Sequence, residues 1–145
     1  MTREHLVIAA DVLGRAFADY PSLVAFIPDA ARRHRLSPLL HGMLARYAAA
    51  YGDLQLSPDL DAAACWLPPE RPYLSTMRLI SRGGLMPIVR LGWSAFRDFS
   101  KLGDDLEATR RRLVPRPHWY LLLLAVDPAR QQRGAGSLLI RRGLE

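Results

Sequence analysis

The longest apolar run in the chain is Trp119 to Val126, preceded by His118 and closed by Asp127-Pro128. It falls well short of the ~18 residues a membrane-spanning helix needs. It also lacks the polar face that an amphipathic helix would show. Read as a strand, it is apolar on both sides of the pleat and is expected to be buried on both faces. The remainder of the chain must then supply the cover.

With 145 residues and half of them hydrophobic (50%), that cover fits within a single domain. Two domains of roughly 70 residues each would have marginal cores. The apolar content excludes a disordered chain, and the single cysteine, Cys65, excludes a disulfide scaffold. Cys65 is expected to be a small buried residue. Met1-Thr2-Arg3-Glu4-His5 does not lead into a secretory signal, so a cytoplasmic setting is expected.

The periodicity predicts a helix over 6–20, with Val12, Leu13, Ala16 and Phe17 on one side and Pro21 as its stop. Residues 21–31 read as a loop anchored by Val24, Phe26 and Ile27. Leu36, Leu39, Leu40, Met43, Leu44, Tyr47, Ala48 and Tyr51 form an amphipathic stripe. Ser37 is its expected N-cap, Pro38 its first residue and Gly52 its left-handed end. Leu54-Gln55-Leu56 and Ala63 to Leu67 read as a hairpin around Ser57-Pro58-Asp59-Leu60-Asp61.

The stretch 71–114 reads as helical in two pieces, Tyr73 to Ser81 and a second piece after Gly83-Gly84 with Pro87 in its first turn. Ile88, Leu91, Trp93, Phe96 and Phe99 cover much of that helix, which is expected to be buried or to line a groove. Glu107 and Arg111 are spaced to pair, and Arg110-Arg111-Arg112 suits a solvated helix end. Pro115 and Pro117 form a linker into the long strand. The fold class is α/β.

The chemistry-bearing segment follows that strand. Leu124-Ala125-Val126 runs through Asp127-Pro128-Ala129-Arg130 into Gln131-Gln132-Arg133-Gly134-Ala135-Gly136-Ser137, where a helix begins. Glycines at a helix start let unpaired N–H groups approach a ligand closely, and the helix dipole favours an anion there. Arg130 and Arg133 add charge. The spacing fits neither a Walker loop nor a Rossmann fingerprint. Taken alone, such a Gly-x-Gly fits a structural turn better than a ligand site.

Segment and context together resemble the GNAT superfamily of N-acetyltransferases. Their acyl-CoA signature, Gln/Arg-x-x-Gly-x-Gly/Ala after an apolar strand, is matched by Gln131 to Gly136 after Leu124-Ala125-Val126. Ala16-Phe17-Ala18-Asp19 with Pro21, Trp66-Leu67-Pro68-Pro69, and His118-Trp119-Tyr120-Leu121 leading into Val126-Asp127-Pro128 look like one bacterial subgroup.

The resemblance implies a mixed sheet flanked by helices, with a strand splayed from its neighbour. It further implies acetyl-CoA held by Leu124, Ala125, Val126 and the loop Gln131, Gln132, Arg133, Gly134, Ala135, Gly136, Ser137. The acetyl group would pass to an amine of a small molecule or peptide. The first family strand is expected to be compressed into Arg3–Ile8 or missing. The family's later strand, helix and closing strands are expected to be missing, which would leave a sheet edge open to self-association.

No catalytic base is identified. The strand carries no carboxylate, Asp127 suits turn formation, and His118 is either a proton relay or a hydrogen-bonded strand start. Gln132 stands where the family often has glycine. The stretch Tyr73 to Leu113 is expected on the acceptor side, with Trp93, Phe96 and Phe99 forming a groove or packing as core. A non-catalytic acyl-CoA module remains an alternative. Nucleic-acid binding is disfavoured, because the 20 basic residues are spread along the chain despite a net charge of +6. No metal site and no membrane span are expected.

Overall fold

The computed structural model describes residues 1–71 and 73–145. Helix α1 (Arg3–Phe17) starts with a reciprocal cap. His5 N–H donates to the Thr2 hydroxyl at 3.2 Å, and Thr2 N–H donates to His5 Nδ1 at 3.3 Å. Arg3–Ile8 is therefore helix and holds no strand. The loop expected over 21–31 is in part a short helix, α2 (Pro21–Phe26), with Pro21 in its first turn. Proline stops one helix and starts another because neither position requires its N–H.

Helix α3 (Ala30–Tyr51) begins well before the Ser37-Pro38 start expected from sequence. Asp29 caps it by accepting Arg32 N–H at 2.7 Å. Pro38 lies inside the helix, and Ser37 is used differently: its hydroxyl donates to the Gly14 carbonyl at 2.7 Å. A Cβ at Gly14 would lie 2.6 Å from Pro38 Cα, so the glycine lets α1 and α3 touch through their backbones. Gly52 does end α3, but with φ −146° rather than a left-handed angle. It must be glycine because a Cβ there would collide with the Trp66 carbonyl oxygen.

Strands β1 (Asp53–Leu56), β2 (Ala62–Leu67) and β3 (Tyr120–Val126) form a sheet in the order β1-β2-β3. Both pairings are antiparallel, so the described sheet is not the mixed one that was expected. Every residue of β2 is buried, whereas in β3 only Ala125 is. The strand buried on both faces is thus β2. Central position, not apolar length, decides which strand is covered.

On one face Ala63, Cys65, Leu54 and Ala125 pack against Val12, Leu13, Ala45 and Ala48 of α1 and α3. On the other, Ala62, Ala64 and Trp66 pack against Leu139 of α7 (Ala135–Leu144).

Between β2 and β3 the chain forms α4 (Thr76–Leu79), a π turn (Ile80–Gly84), α5 (Leu85–Leu91) and α6 (Trp93–Leu113). The break expected at Gly83-Gly84 is present, with Gly83 at φ 85°. Gly92, also at φ 85°, adds a second break that was not expected. The stretch is therefore several helices, and Pro72 within it lies outside the described residues. No residue of α6 is buried, and Trp93 is 77% exposed, so of the two expected outcomes burial is not met, whereas Phe96 and Phe99 do line a cavity. Phe96 and Phe99 are half-buried against Leu23, Leu36, Leu40 and Leu91. The expected Glu107–Arg111 pair forms at 2.6 Å.

Candidate functional site

The site is built outward from the end of β3. Asp127 caps a 3-10 turn (Pro128–Arg130), its carboxylate accepting Ala129 N–H at 3.0 Å. The same carboxylate accepts from Arg15 at 2.6 and 3.1 Å. The Ala129 N–H, then the Arg15 guanidinium, hold its carboxyl below the usual range. Asp127 N–H also ties the turn to the hairpin by donating to Asp61 O at 2.7 Å. With these contacts its oxygens form a turn rather than a free base.

Beyond the turn the backbone takes unusual angles. Gln132 has φ 67°, a left-handed conformation costly for a side-chain-bearing residue and easy for glycine. Its side chain is exposed. Gly134 has φ 83°, begins α7, and carries no capping side chain. A Cβ there would meet nothing within 4 Å, so the space before the helix is open. At Gly136 a Cβ would lie 3.3 Å from Val126 Cγ2, so this glycine lets α7 lie close on β3.

The first N–H to bond within this turn is that of Leu138, donating to Gly134 O at 2.9 Å. The N–H groups of Ala135, Gly136 and Ser137 precede it and have no intrahelical acceptor.

A cleft of about 1100 Å³ lies between the hairpin turn Ser57–Asp61 and α7. It gathers Arg133, Gly134 and Ala135 from the expected loop and adds Arg130, Arg141 and Arg142. Leu124, Ala125, Val126, Gln131, Gln132, Gly136 and Ser137 lie outside its lining. Ala125 is buried beneath α1 and has only backbone to offer. Arg141 and Arg142 escaped the sequence reading, although they follow Leu138 at the helical spacing that puts them on the face of Ala135. The charge is divided: the arginines line the α7 side, with Glu145 at that helix's far end, while Asp59 and Asp61 lie on the hairpin side.

Among the described residues β3 is paired on one side only, by β2. The register skips Leu122, since Leu123 faces Cys65 and Leu121 faces Trp66. Such a bulge re-aims a strand and leaves one residue outside the ladder.

At the other end of β3, His118 has both ring nitrogens engaged. Nδ1 donates to Arg116 O at 2.7 Å, and Nε2 accepts from Arg110 Nη1 at 3.2 Å. That end also borders a cavity of about 290 Å³ lined in part by Phe96, Phe99 and Leu122. Of the three aromatics expected in a groove, Trp93 does not line it.

Cys65 is fully buried. Burial, with Asp53 nearby, pushes its thiol up to about 12 and makes it chemically silent. Among the described residues no group of His, Cys, Asp and Glu could hold a metal ion. No described helix is long and apolar enough to cross a membrane. A comparison with protein-family models found no match to this sequence.

Proposed function

We propose that the chain is a GNAT-type, acyl-CoA-dependent N-acetyltransferase domain that transfers an acetyl group from acetyl-CoA to an amine. One arrangement carries the reading. A strand paired on one side alone among the described residues leads, through the turn Pro128–Arg130 and a short loop, to a helix whose N-terminus is open, uncapped and flanked by Arg130 and Arg133. The residues suit a pyrophosphate: the N–H groups of Ala135, Gly136 and Ser137 point out of the first turn, and the dipole there is positive. The unpaired edge of β3 offers backbone donors and acceptors to the amides of a pantetheine arm, as an added strand would.

Bound there, acetyl-CoA supplies an activated acyl group, so that a C–N bond forms as the C–S bond breaks and the amine proton leaves. The chain's part is to hold the two reactants in line, which can account for much of such a rate enhancement. Neither Asp127 nor His118 is free to act as base. This favours an acceptor that arrives deprotonated or loses its proton to water, and it is the observation that favours the second reading, a binding module without catalysis.

The test is a thermal shift of the chain with and without saturating acetyl-CoA, beside Gly134→Trp and Gly134→Ala. A ligand at about 100 times its Kd stabilises by roughly 2.7 kcal/mol. The reading expects that shift in the parent, its loss in the tryptophan variant and its retention in the alanine variant, which carries the same backbone penalty. No shift in a folded parent, or a shift surviving Gly134→Trp, overturns it. Thiol release in the presence of an amine separates the transferase from the binding module.

A further inference from the structure

The cavity beside β3 has the chemistry of a small-amine site, and its placement connects it to the proposed cradle. Leu122, in its wall, lies four residues before Val126, or about 13 Å along the strand at ~3.3 Å per residue. A pantetheine arm anchored at the start of α7 and lying along the β3 edge would bring its thioester to this bulge. Leu122, the residue left out of the ladder, is one of the residues that line the cavity.

Its size and lining restrict the occupant. A volume of about 290 Å³ holds on the order of ten water-sized groups, enough for one ring and a short chain. The lining includes Leu79, Phe96, Phe99 and Leu122, which offer no hydrogen bonds. Tyr73, Thr76, Ser100 and Tyr120 add a few hydroxyls to the lining, fewer partners than the several polar groups of a sugar amine or polyamine would give up in water.

Charge at the rim separates an amine from an acid. Glu107 is already satisfied by Arg110 at 2.6, 2.8 and 2.9 Å and by Arg111 at 2.6 Å. Asp104 lines the same cavity and has no ion-pair partner among the described residues. A carboxylate at the mouth of an apolar slot favours a ligand with an apolar body and a cationic head.

We propose that this cavity is the acceptor subsite, and that it takes a primary amine carried on a compact aryl or branched-alkyl body. The inference rests on the transferase reading for the word acceptor, though not for binding itself.

The experiment titrates the chain with 2-phenylethylamine, 2-phenylethanol and spermidine, with and without acetyl-CoA, by calorimetry. Two variants accompany it. Gly103 lines the cavity, and a Cβ there would meet nothing within 4 Å, so Gly103→Phe adds bulk at the cavity wall without an immediate clash. Asp104→Asn removes the rim charge alone.

The expected result is binding of 2-phenylethylamine, its loss in Gly103→Phe, and a weakening of about tenfold in Asp104→Asn. The alcohol should bind more weakly than the amine, and spermidine not at all. Equal binding of spermidine, or unchanged binding in Gly103→Phe, overturns the proposal. Failure of the two ideas is distinguishable. Amine binding without any acetyl-CoA shift keeps the subsite and removes the transferase reading. An acetyl-CoA shift with no amine binding under either condition removes the subsite alone.

Discussion

Replacing Arg33 by methionine tests what joins the first three helices. Arg33 is only 7% exposed. Its Nε donates to Ala18 O at 2.7 Å, and Nη1 donates to Ile27 O at 3.0 Å and Pro28 O at 3.1 Å. Nη2 reaches Asp19 Oδ1 at 2.7 Å, but that carboxylate is 67% exposed.

Two acceptors thus belong to buried residues, Ala18 and Ile27, and the ion partner stands in water. Methionine keeps the apolar stem and removes every donor. Each orphaned buried carbonyl costs about 1–3 kcal/mol, or roughly 2–6 kcal/mol for the pair. With a urea slope of about 2 kcal/mol per M, the midpoint should fall on the order of 1–3 M. Asp19→Ala should move it far less, because an exposed pair contributes little.

Urea titrations followed by circular dichroism decide the matter. If Asp19→Ala costs as much as Arg33→Met, the ion pair and not the carbonyls is the fastening, and the reasoning fails. The result also bears on Asp19 as part of the family-like words Ala16 to Asp19. The structure explains that residue through its hydrogen bond from Arg33, which lowers its carboxyl from the usual value.

Gly136→Val should cost about 1–3 kcal/mol, because its Cβ would crowd Val126 and lift α7 from β3; an unchanged melting temperature would contradict that contact. Cys65 should react with an aromatic disulfide reagent only as fast as the protein unfolds, so rapid labelling under native conditions would place it elsewhere. His41 is stacked on Phe17 at 5.0 Å, and its Nδ1–H donates to Ser37 O at 2.8 Å. Burial holds its pKa below 6.5, so the unfolded chain takes up a proton before the folded one does. Its contribution is therefore complete above about pH 6.5 and is lost as pH falls toward the folded value. His41→Gln should flatten stability between pH 7 and 5 in melting experiments, and an identical slope would refute the assignment. The carboxyls of Asp19, Glu107 and Asp127 are lowered, so their contributions fade only below about pH 4.

Local chemistry was legible in the sequence, and packing was not. The hairpin turn Ser57–Asp61, the strand end at Asp127-Pro128 and the helix start after Gly134 depend on residues a few positions apart. All three lie where the pattern put them. Pro38 was misread because its cost in a helix is offset across space, at Gly14, where the two helices approach closely. β3 is the most apolar strand, which is why the sequence alone points to it as the doubly covered one. Burial was decided by β1 and β3 flanking β2, which no local pattern states. The second break, at Gly92, follows a stretch whose apolar spacing runs on without interruption.

The same contrast applies to the two helices that begin at positive-φ glycines. Thr2 and Asp29 cap α1 and α3 with side-chain oxygens, whereas α6 and α7 begin at Gly92 and Gly134 without such a cap. At Gly92 one side chain stands close by. Arg32 Nη2 would lie 3.8 Å from a Cβ there, and it is spent on the carbonyls of Arg90 and Leu91 at 3.3 and 2.9 Å. That glycine is explained by a backbone bend under a guanidinium already in use. At Gly134 nothing stands within 4 Å, and Arg130 and Arg133 lie alongside. A serine or aspartate cap would occupy the very N–H groups that an incoming anion requires. The missing cap at Gly134 leaves those donors open, which is what the proposed anion site requires, and of the two glycine starts only this one follows a strand that, among the described residues, is paired on one side alone.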